Sequence, residues 1–427
     1  MSRNITLAFW AGGGVWGQSQ LIHAGYINQN LDQGLSGLID IHAAGSIGNI
    51  AGLVTALDKP YEKAQESFKK CAETMMGGSL RSEQLSRSVQ HSLHHLNKGV
   101  LKRRLFKDQT DKIHLNHNEL RRFLNSSFAR TKLNNLKTSF VSFAHHMETN
   151  ERAGFVHIAQ ENVFNMDRWA VVPNHGSDHS VIDIAMASTA APTVFGPHQI
   201  GQNHYIDCAN LCSPLSVVKN IFRMAVNPKE TTVDVLYFGT GYETNDRWDA
   251  EAYRNHGILQ MLSNWTTSTG LASVKQDLRE LEADYGDRVS LIPIDVPIPI
   301  EFEGKSFCRE SFNGSTEYFR SIEKIASKNL EIKGEEYIAA IEKIAERKAN
   351  ALCIDPLIAS HLPQQASTEQ VKPLVQPCRS NSRKPFEFFG RLRAMRPLMS
   401  HRIHGNTGSD QTLPPAPPLP QLIPAGK

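Results

Sequence analysis

Two short segments near the start of the chain carry residue types that acyl-transfer chemistry needs. In the first, Gly12 to Gly14 follow Ile5 to Trp10, a β-rich apolar run. Glycine N–H groups are not covered by side chains and suit a developing oxyanion or a phosphate, so a side chain at Gly13 would crowd both donors and substrate. The alternative is a flexible turn between a strand and a helix. A nucleotide site fits poorly, because neither GxGxxG nor GxxxxGK[ST] is present.

The second segment is Ala44 to Gly48, with sequence AGSIG, between a predicted strand at Leu38 to His42 and a predicted helix. A serine at a strand-to-helix turn projects its hydroxyl above the sheet, and small neighbours relieve the crowding of that turn. Ser46 is therefore a candidate nucleophile. The alternative is a small-residue turn without chemistry, since Ala44 stands where the GxSxG pattern has glycine.

A serine nucleophile needs a base, and no histidine of this sequence is an obvious one. In ordinary α/β-hydrolases the oxyanion loop follows the third strand, and Ser, Asp or Glu, and His appear in that order. Here the glycines end the first predicted strand and Ser46 follows about 30 residues later. The histidines after Asp207 lack a local motif, namely His256, His361, His401 and His404. A base other than histidine has to be considered.

Taken together, these segments resemble the patatin-like phospholipases. That family has a glycine-rich oxyanion loop near the N-terminus, a GxSxG serine one βα unit later, and an aspartate in a DG[GA] motif. Ala187 to Phe195, with sequence ASTAAPTVF, is similar to the family's ASxAAPxxF segment, and Tyr205-Ile206-Asp207 follows it. Gly239-Thr240-Gly241 is similar to the family's later GTG turn. The resemblance covers roughly residues 4 to 245 and can extend to about 300.

The resemblance implies a Ser-Asp dyad in which Ser46 attacks an ester carbonyl and Asp207 is the base. The N–H groups around Gly12, Gly13 and Gly14 would form the oxyanion hole. A carboxylate with an ordinary pKa of about 4 is a weak base, so burial would have to raise the pKa of Asp207. The implied scheme needs no metal and no cofactor, and the sequence has neither an EF-hand loop nor HExxH.

The implied activity is that of a serine lipid acyl hydrolase, specifically a phospholipase A that releases fatty acids from membrane phospholipids. Four positions depart from the family pattern: Ala11 replaces an aspartate, Trp16 an arginine, Ala44 a glycine, and Asp207-Cys208-Ala209 stands for Asp-Gly-Gly. Two alternatives stay open. One is a lysophospholipase or general esterase, and the other is a catalytically weakened protein that binds a membrane or a partner.

Strand, glycine turn and helix occur twice at the start, which predicts an α/β fold with a mostly parallel central sheet. The resemblance implies a patatin-like three-layer core with additional C-terminal helices. We expect a catalytic domain over 1–300 with a helical insertion at about 60–135, a helical extension over 301–360 and a flexible tail over 361–427. Further predicted elements are strands at Ser139–Ala144, Phe155–Ile158, Tyr205–Ile206 and Val233–Phe238 and a helix at Ile322–Lys348.

The tail is basic and rich in proline. Residues 361–427 hold nine Lys or Arg against three Asp or Glu, and 11 of the 21 prolines. Basic and apolar residues alternate over 379–402, which suits an anionic phospholipid surface, whereas a solvated disordered tail is the alternative. The run PPAPPLP at Pro414 to Pro420 suits an aromatic-lined groove of a protein partner. The formal charge of the whole chain, +3, is too small to argue for nucleic acid.

The remaining expectations concern compartment and single residues. We expect no cleavable signal peptide and a cytoplasmic or peripheral membrane location, with delivery into another cell left open. The six cysteines are sparse and are expected to be reduced, with Cys208 filling a small-residue position. Asp183 is expected to be a helix cap or a surface charge. Paired histidines are expected to be solvated on helices or loops, not metal ligands: His91, His94, His95, His114, His117, His145 and His146.

Overall fold

The computed structural model describes ten stretches of the chain. They are residues 3–76, 117–160, 163–169, 173–191, 195–208, 213–240, 273–296, 300–302, 305–307 and 316–353. The basic, proline-rich tail and residues 77–116 of the expected helical insertion lie outside these stretches.

The centre of the fold is an eight-stranded sheet with the order β5-β6-β3-β2-β1-β7-β8, with β4 also paired to β3. Strands β1, β2, β3, β7 and β8 are mutually parallel, whereas β4, β5 and β6 form the antiparallel pairs. A separate hairpin joins β9 to β10. The strands are β1 Arg3–Trp10, β2 Ile41–Gly45, β3 Ser139–His146, β4 Glu151–His157, β5 His198–Ile200, β6 Asn203–Ile206, β7 Thr231–Phe238, β8 Val289–Ile294, β9 Ile300–Phe302 and β10 Lys305–Phe307.

Helices cover both faces of the sheet. They are α1 Gly17–Asn30, α2 Gly34–Leu38, α3 Gly48–Ala56, α4 Tyr61–Met76, α5 His117–Phe128, α6 Val181–Ser188, α7 Pro214–Met224, α8 over 273–285 and α9 Thr316–Cys353. The predicted α/β fold with a mostly parallel sheet is confirmed.

The sequence of β1 explains why this strand lies at the centre. All six residues from Ile5 to Trp10 are buried, as expected for a parallel strand covered on both faces. Alternate side chains point to opposite faces, so Leu7 and Phe9 pack under α7 and α8, while Ala8 and Trp10 pack under α1, α3 and α9. These two apolar clusters form the interfaces of a three-layer core.

The long helix α9 crosses one face of the sheet from its C-terminal edge to its N-terminal edge. Near the start of α9, Asn329 donates to the backbone oxygen of Asp295, just after β8. Near its end, Arg347 pairs with Asp234 at 2.6 Å, and Lys348 also forms an ion pair with the aspartate just before β2. Between these contacts, the helix contributes buried side chains to the core, namely Tyr337, Ile341 and Ile344. The boundary predicted at residue 300 stays a prediction.

The predicted strand at Leu38–His42 was displaced by three residues. Leu38 ends α2, and the strand is Ile41–Gly45. Ala43, expected in the turn, lies in the strand because parallel pairing with β1 and β3 continues to Ala44 and Gly45. The turn is consequently short and begins at Ser46.

The strand order reverses around β1. The chain proceeds from β1 to β2 and β3 on one side, and later adds β7 and β8 on the other. Loops that leave the carboxyl ends of strands at such a switch point diverge and open a crevice, which is where ligands of open α/β sheets bind. The predicted glycine loop follows β1, the Gly239-Thr240 turn follows β7, and Ser46 follows β2.

Candidate active site

Ser46 occupies a strained turn between β2 and α3. Its φ is +51°, in the left-handed region that non-glycine residues rarely adopt. The helix begins at Gly48, where a Cβ would lie 2.3 Å from the backbone oxygen of Trp10, so glycine is required there. By contrast, Ala44 lies within β2 between its partners on β1 and β3, so a small side chain is accommodated at that departure from GxSxG.

The structure brings Ser46 and Asp207 together. The Ser46 Oγ donates a hydrogen bond to Asp207 Oδ2, across 161 residues of sequence. Ser46 is 6% exposed and Asp207, immediately after β6, is half-buried. The Asp207 backbone N–H donates to the oxygen of Ala190 at 3.0 Å, which fixes the end of β6 against the segment that follows α6. A hydroxyl and a carboxylate in this arrangement can act as nucleophile and base.

The last residue of α6, Ser188, lies directly beneath the turn. Its fully buried hydroxyl donates to the oxygen of Phe143 at 2.6 Å and accepts from the Ser46 backbone N–H at 2.8 Å. It also accepts from Asn49 Nδ2 at 2.8 Å, and the same Asn49 nitrogen donates to the Ser46 oxygen at 3.1 Å. Ser188 and Asn49 were not among the site residues predicted from the sequence.

The glycine loop lies beside the Ser46 turn. Thr240 Oγ1, fully buried, donates to the backbone oxygen of Gly12 at 2.7 Å. A Cβ at Gly13 would lie 2.3 Å from that same Oγ1, whereas Gly14 has φ +58° and open space around it. A Cβ at Gly48 would approach the oxygen of Ala11 to 2.9 Å, so the residue just before the glycine loop is in close contact with the residue that begins α3.

Two departures from the family pattern have packing explanations. Trp16 is 2% exposed and packs with Ile322 and Ile325 of α9 and with Val296 after β8. Ala11 is buried, and its backbone N–H continues the pairing with β7 by donating to Phe238 at 3.0 Å. Both residues are part of the scaffold on which the loop is held.

Two histidines that the sequence did not single out are fully buried, one in strand β2 and one in helix α1. His42 accepts a hydrogen bond from Trp10 Nε1 at 3.2 Å, and burial lowers its pKa to about 3. His23 on α1 meets Asn329 of α9 at 3.1 Å, and burial lowers its pKa to about 4. Both are therefore neutral core residues at neutral pH. A histidine within an otherwise apolar strand, as in the IHAAG of β2, was the available signal.

The expectation of histidines solvated on helices or loops was wrong for His145, His146 and His117; His145 is half-buried in β3. His146 is a buried residue of β3, next to His175 with ring centroids 4.9 Å apart. His117 stacks on Phe195 at 4.3 Å, and burial lowers the pKa of His117 to about 4. His91, His94, His95 and His114 lie outside the described residues. Within the described stretches, no group of three or more His, Cys, Asp or Glu side chains could hold a metal ion.

Asp183 lies in the first turn of α6 but is not its cap. The cap is Ser180, whose hydroxyl accepts from the Ile182 N–H. Asp183 is a partly exposed surface charge that pairs with Arg121 and His198, each at 3.3 Å, and the His198 hydrogen bond lowers its pKa. Cys208 is buried and packs in the apolar cluster under α7.

None of the helices in the described stretches is both long and apolar enough to cross a membrane. The 38-residue α9 carries charged residues along its whole length.

Comparisons with known proteins give a match to one protein family. A family model described as patatin-like phospholipase matches residues 10–216, a range that includes the glycine loop, Ser46, Ser188 and Asp207. A search of curated proteins gave no match. Among solved structures, VipD from Legionella pneumophila has 11% sequence identity and a TM-score of 0.30, covering 76% of this chain and 67% of that chain.

Proposed function

The chain belongs, over residues 10–216, to the patatin-like phospholipase family, and on that premise we propose that it is a phospholipase A with a Ser46–Asp207 dyad. Lipid acyl hydrolysis is the activity that the family suggests. The observation that carries the finer assignment is the hydrogen bond from Ser46 Oγ to Asp207 Oδ2. This bond joins the strained turn after β2 to the half-buried carboxylate after β6. Ligands of open α/β sheets bind outside the carboxyl ends of the parallel strands, where the Ser46 turn lies.

The proposed reaction has two halves. Asp207 takes the hydroxyl proton of Ser46 while Ser46 Oγ attacks the ester carbonyl, and the proton then passes to the departing alcohol as the acyl enzyme forms. Water attacks the acyl enzyme in the second half, with Asp207 accepting its proton and returning it to Ser46. The fatty acid is released and the dyad is restored.

The oxyanion of each tetrahedral intermediate needs hydrogen-bond donors. The N–H of Ser46 already donates to Ser188 Oγ at 2.8 Å, which favours donors from another segment. The glycine loop is the natural source, because Gly12 to Gly14 follow the neighbouring strand, and the residues on either side of them, Ala11 and Gly17, lie against the residues that follow Ser46. We therefore propose the N–H groups of this loop as the oxyanion hole.

For the substrate we propose a phospholipid at a membrane surface. The basic and apolar residues over 379–402 suit an anionic bilayer, where each basic residue near the surface contributes about 1 kcal/mol. A protein partner for the proline-rich run at 414–420 is a second proposed contact. Both segments lie outside the described residues, so these two proposals rest on the sequence alone.

Hydrolysis of a soluble short-chain nitrophenyl ester tests the dyad. Wild type is expected to release nitrophenol, and Ser46→Ala and Asp207→Asn to lose that activity. Ser142→Ala is the matched control, because Ser142 is a fully buried serine on the neighbouring strand β3 whose hydroxyl has no partner among the described residues. Equal turnover by wild type and Ser46→Ala would refute the serine mechanism.

A second assay identifies the substrate class. The protein is incubated with vesicles of mixed phospholipids, and the products are identified by mass spectrometry. Free fatty acid and lysophospholipid in equal amounts are expected for phospholipase A. Products from added lysophospholipid alone would indicate a lysophospholipase. Vesicle binding without any ester hydrolysis would indicate a binding protein instead.

A further inference from the structure

We propose that Ser188 is a positioning residue that sets the geometry of the Ser46–Asp207 pair. The proposal rests on the proposed function, because it concerns the reaction of that pair. Ser188 belongs to the ASTAAPTVF segment, for which the sequence offered a family resemblance but no role. The structure supplies a role through a set of buried hydrogen bonds around one hydroxyl.

The first step is the backbone of Ser46. At φ +51° the residue leaves the regular strand, so its N–H can no longer pair within the sheet. A buried N–H without a partner is strongly disfavoured, and a left-handed serine persists only where its surroundings hold it. Ser188 Oγ, at 2.8 Å, is the partner that the turn provides.

The second step is the capacity of the Ser188 hydroxyl. A serine hydroxyl has one donor and two acceptor positions. Here the donor goes to Phe143 on β3, and the two acceptor positions receive Ser46 and Asn49. Since all three positions are used and the side chain is fully buried, the hydroxyl has no freedom to rotate to another arrangement. It connects β3, the Ser46 turn and the start of α3.

The third step links Ser188 to the base. Two residues after Ser188, the oxygen of Ala190 accepts the backbone N–H of Asp207 at 3.0 Å. The short segment 188–190 therefore holds the backbones of both members of the pair, which are 161 residues apart in sequence. A shift of this segment changes the distance between nucleophile and base without touching the substrate.

The experiment compares Ser188→Ala with Ser142→Ala, the same chemical change at a buried serine whose hydroxyl has no hydrogen-bond partner among the described residues. The readouts are kcat and KM for the soluble ester, with active sites counted by covalent labelling with a fluorophosphonate. Misplacement of a catalytic group by about 1 Å can lower the rate roughly 100-fold. We expect Ser188→Ala to lower kcat per labelled site by about that factor with KM nearly unchanged, and Ser142→Ala to leave both constants near wild type.

Hydrogen exchange at the Ser46 amide provides a readout independent of activity. Protection in wild type and in Ser142→Ala, with loss in folded Ser188→Ala, is the expected pattern. If Ser188→Ala does not fold, Ser188→Cys takes its place. The thiol is close in size but a weaker acceptor, so a lower kcat with unchanged KM is again expected.

The outcomes separate the two proposals. Active wild type together with folded Ser188→Ala, or Ser188→Cys, at wild-type kcat would overturn the positioning role alone. Wild type without Ser46-dependent turnover or labelling would overturn the proposed function, and the positioning role with it. Equal losses in Ser188→Ala and Ser142→Ala would also overturn the positioning role, because any change of buried serine would then suffice.

Discussion

A methyl group at Gly13 is expected to disable the glycine loop by displacing Thr240, before any side chain reaches the substrate. The new Cβ would lie 2.3 Å from Thr240 Oγ1, 2.5 Å from its Cβ and 2.9 Å from its Cγ2. Rotation of the Thr240 side chain does not relieve the contact, because the Thr240 Cβ is itself too close. From sequence alone, a larger side chain at Gly13 was expected to crowd N–H donors and substrate while the fold survived.

The size of the effect follows from these distances. An ordinary contact is about 3.4 Å or longer, so the loop and the Thr240 turn have to separate by about 1 Å. A shift of that size at a catalytic group can cost about 100-fold in rate. Overpacking of a buried position costs typically about 1–3 kcal/mol of folding free energy. Gly13→Ala should therefore lower both kcat and stability.

A double-mutant cycle identifies the cause. Gly13→Ala, Thr240→Gly and the double variant are compared by urea unfolding and by ester hydrolysis. Thr240→Gly alone removes the hydrogen bond to Gly12 and is expected to be destabilising. The double variant is expected to be more stable than the sum of the two single effects, by a coupling energy of about 0.5–3 kcal/mol.

Gly14→Ala is the matched control, since Gly14 has a left-handed backbone but nothing within 4 Å of its Cβ position. Its effect comes from backbone strain, so it should simply add to that of Thr240→Gly. Additive energies for the Gly13 and Thr240 pair would refute the explanation through Thr240. The loss of activity would then be attributed to crowding of the N–H donors and the substrate.

Four further outcomes are expected. Ser46→Ala and Asp207→Ala should each lower kcat by several orders of magnitude, and the double variant by little more, because the two groups act as a unit; additive losses in ester hydrolysis would argue against that. Cys208→Ala should keep turnover near wild type, as its thiol packs in an apolar cluster, and loss of all activity in the folded variant would contradict this. Because burial lowers the His42 pKa from 6.5 to about 3, the unfolded chain binds a proton at His42 that the folded chain does not bind. The contribution of His42 to the free energy of unfolding is therefore fully present above pH 6.5 and is lost as the pH falls, by about 2 kcal/mol at pH 5. Urea unfolding at pH 7.5 and 5 should show that loss reduced in His42→Asn, and an unchanged difference would exclude His42 as its source. Removal of 364–427 should weaken salt-sensitive binding to anionic vesicles and spare ester hydrolysis, whereas equal binding would exclude the tail as the membrane contact.

The elements that could be predicted from the sequence are those with local signals. A continuous apolar run ended by glycines predicted β1, and small residues around a serine predicted the Ser46 turn. The order of these segments, together with the ASTAAPTVF and Tyr205-Ile206-Asp207 segments, led to Asp207 as the partner of Ser46. Each segment is recognised from residues that lie next to one another in the chain, whereas the pairing of Ser46 with Asp207 came from the family resemblance.

The remainder depends on contacts between distant residues. Nothing local to Ser188 indicates that its hydroxyl joins Phe143, Ser46 and Asn49. In the same way, the sequence showed only that Trp16 replaces an arginine of the family pattern. Its buried environment is formed by α9, which no sequence pattern near Trp16 predicts. His146 was expected to be solvated because charged and polar residues follow it, although it is the last residue of β3.

The packing of Trp16 against α9 also orders events during synthesis of the chain. Trp16 lies two residues after Gly14 of the glycine loop, yet Ile322 and Ile325, which cover it, are translated about 300 residues later. At about 5–20 residues per second, a ribosome needs roughly 15–60 s for that interval. During that interval Trp16, close to the glycine loop, lacks the contacts that α9 provides. The glycine loop therefore acquires this support only after α9 has been translated.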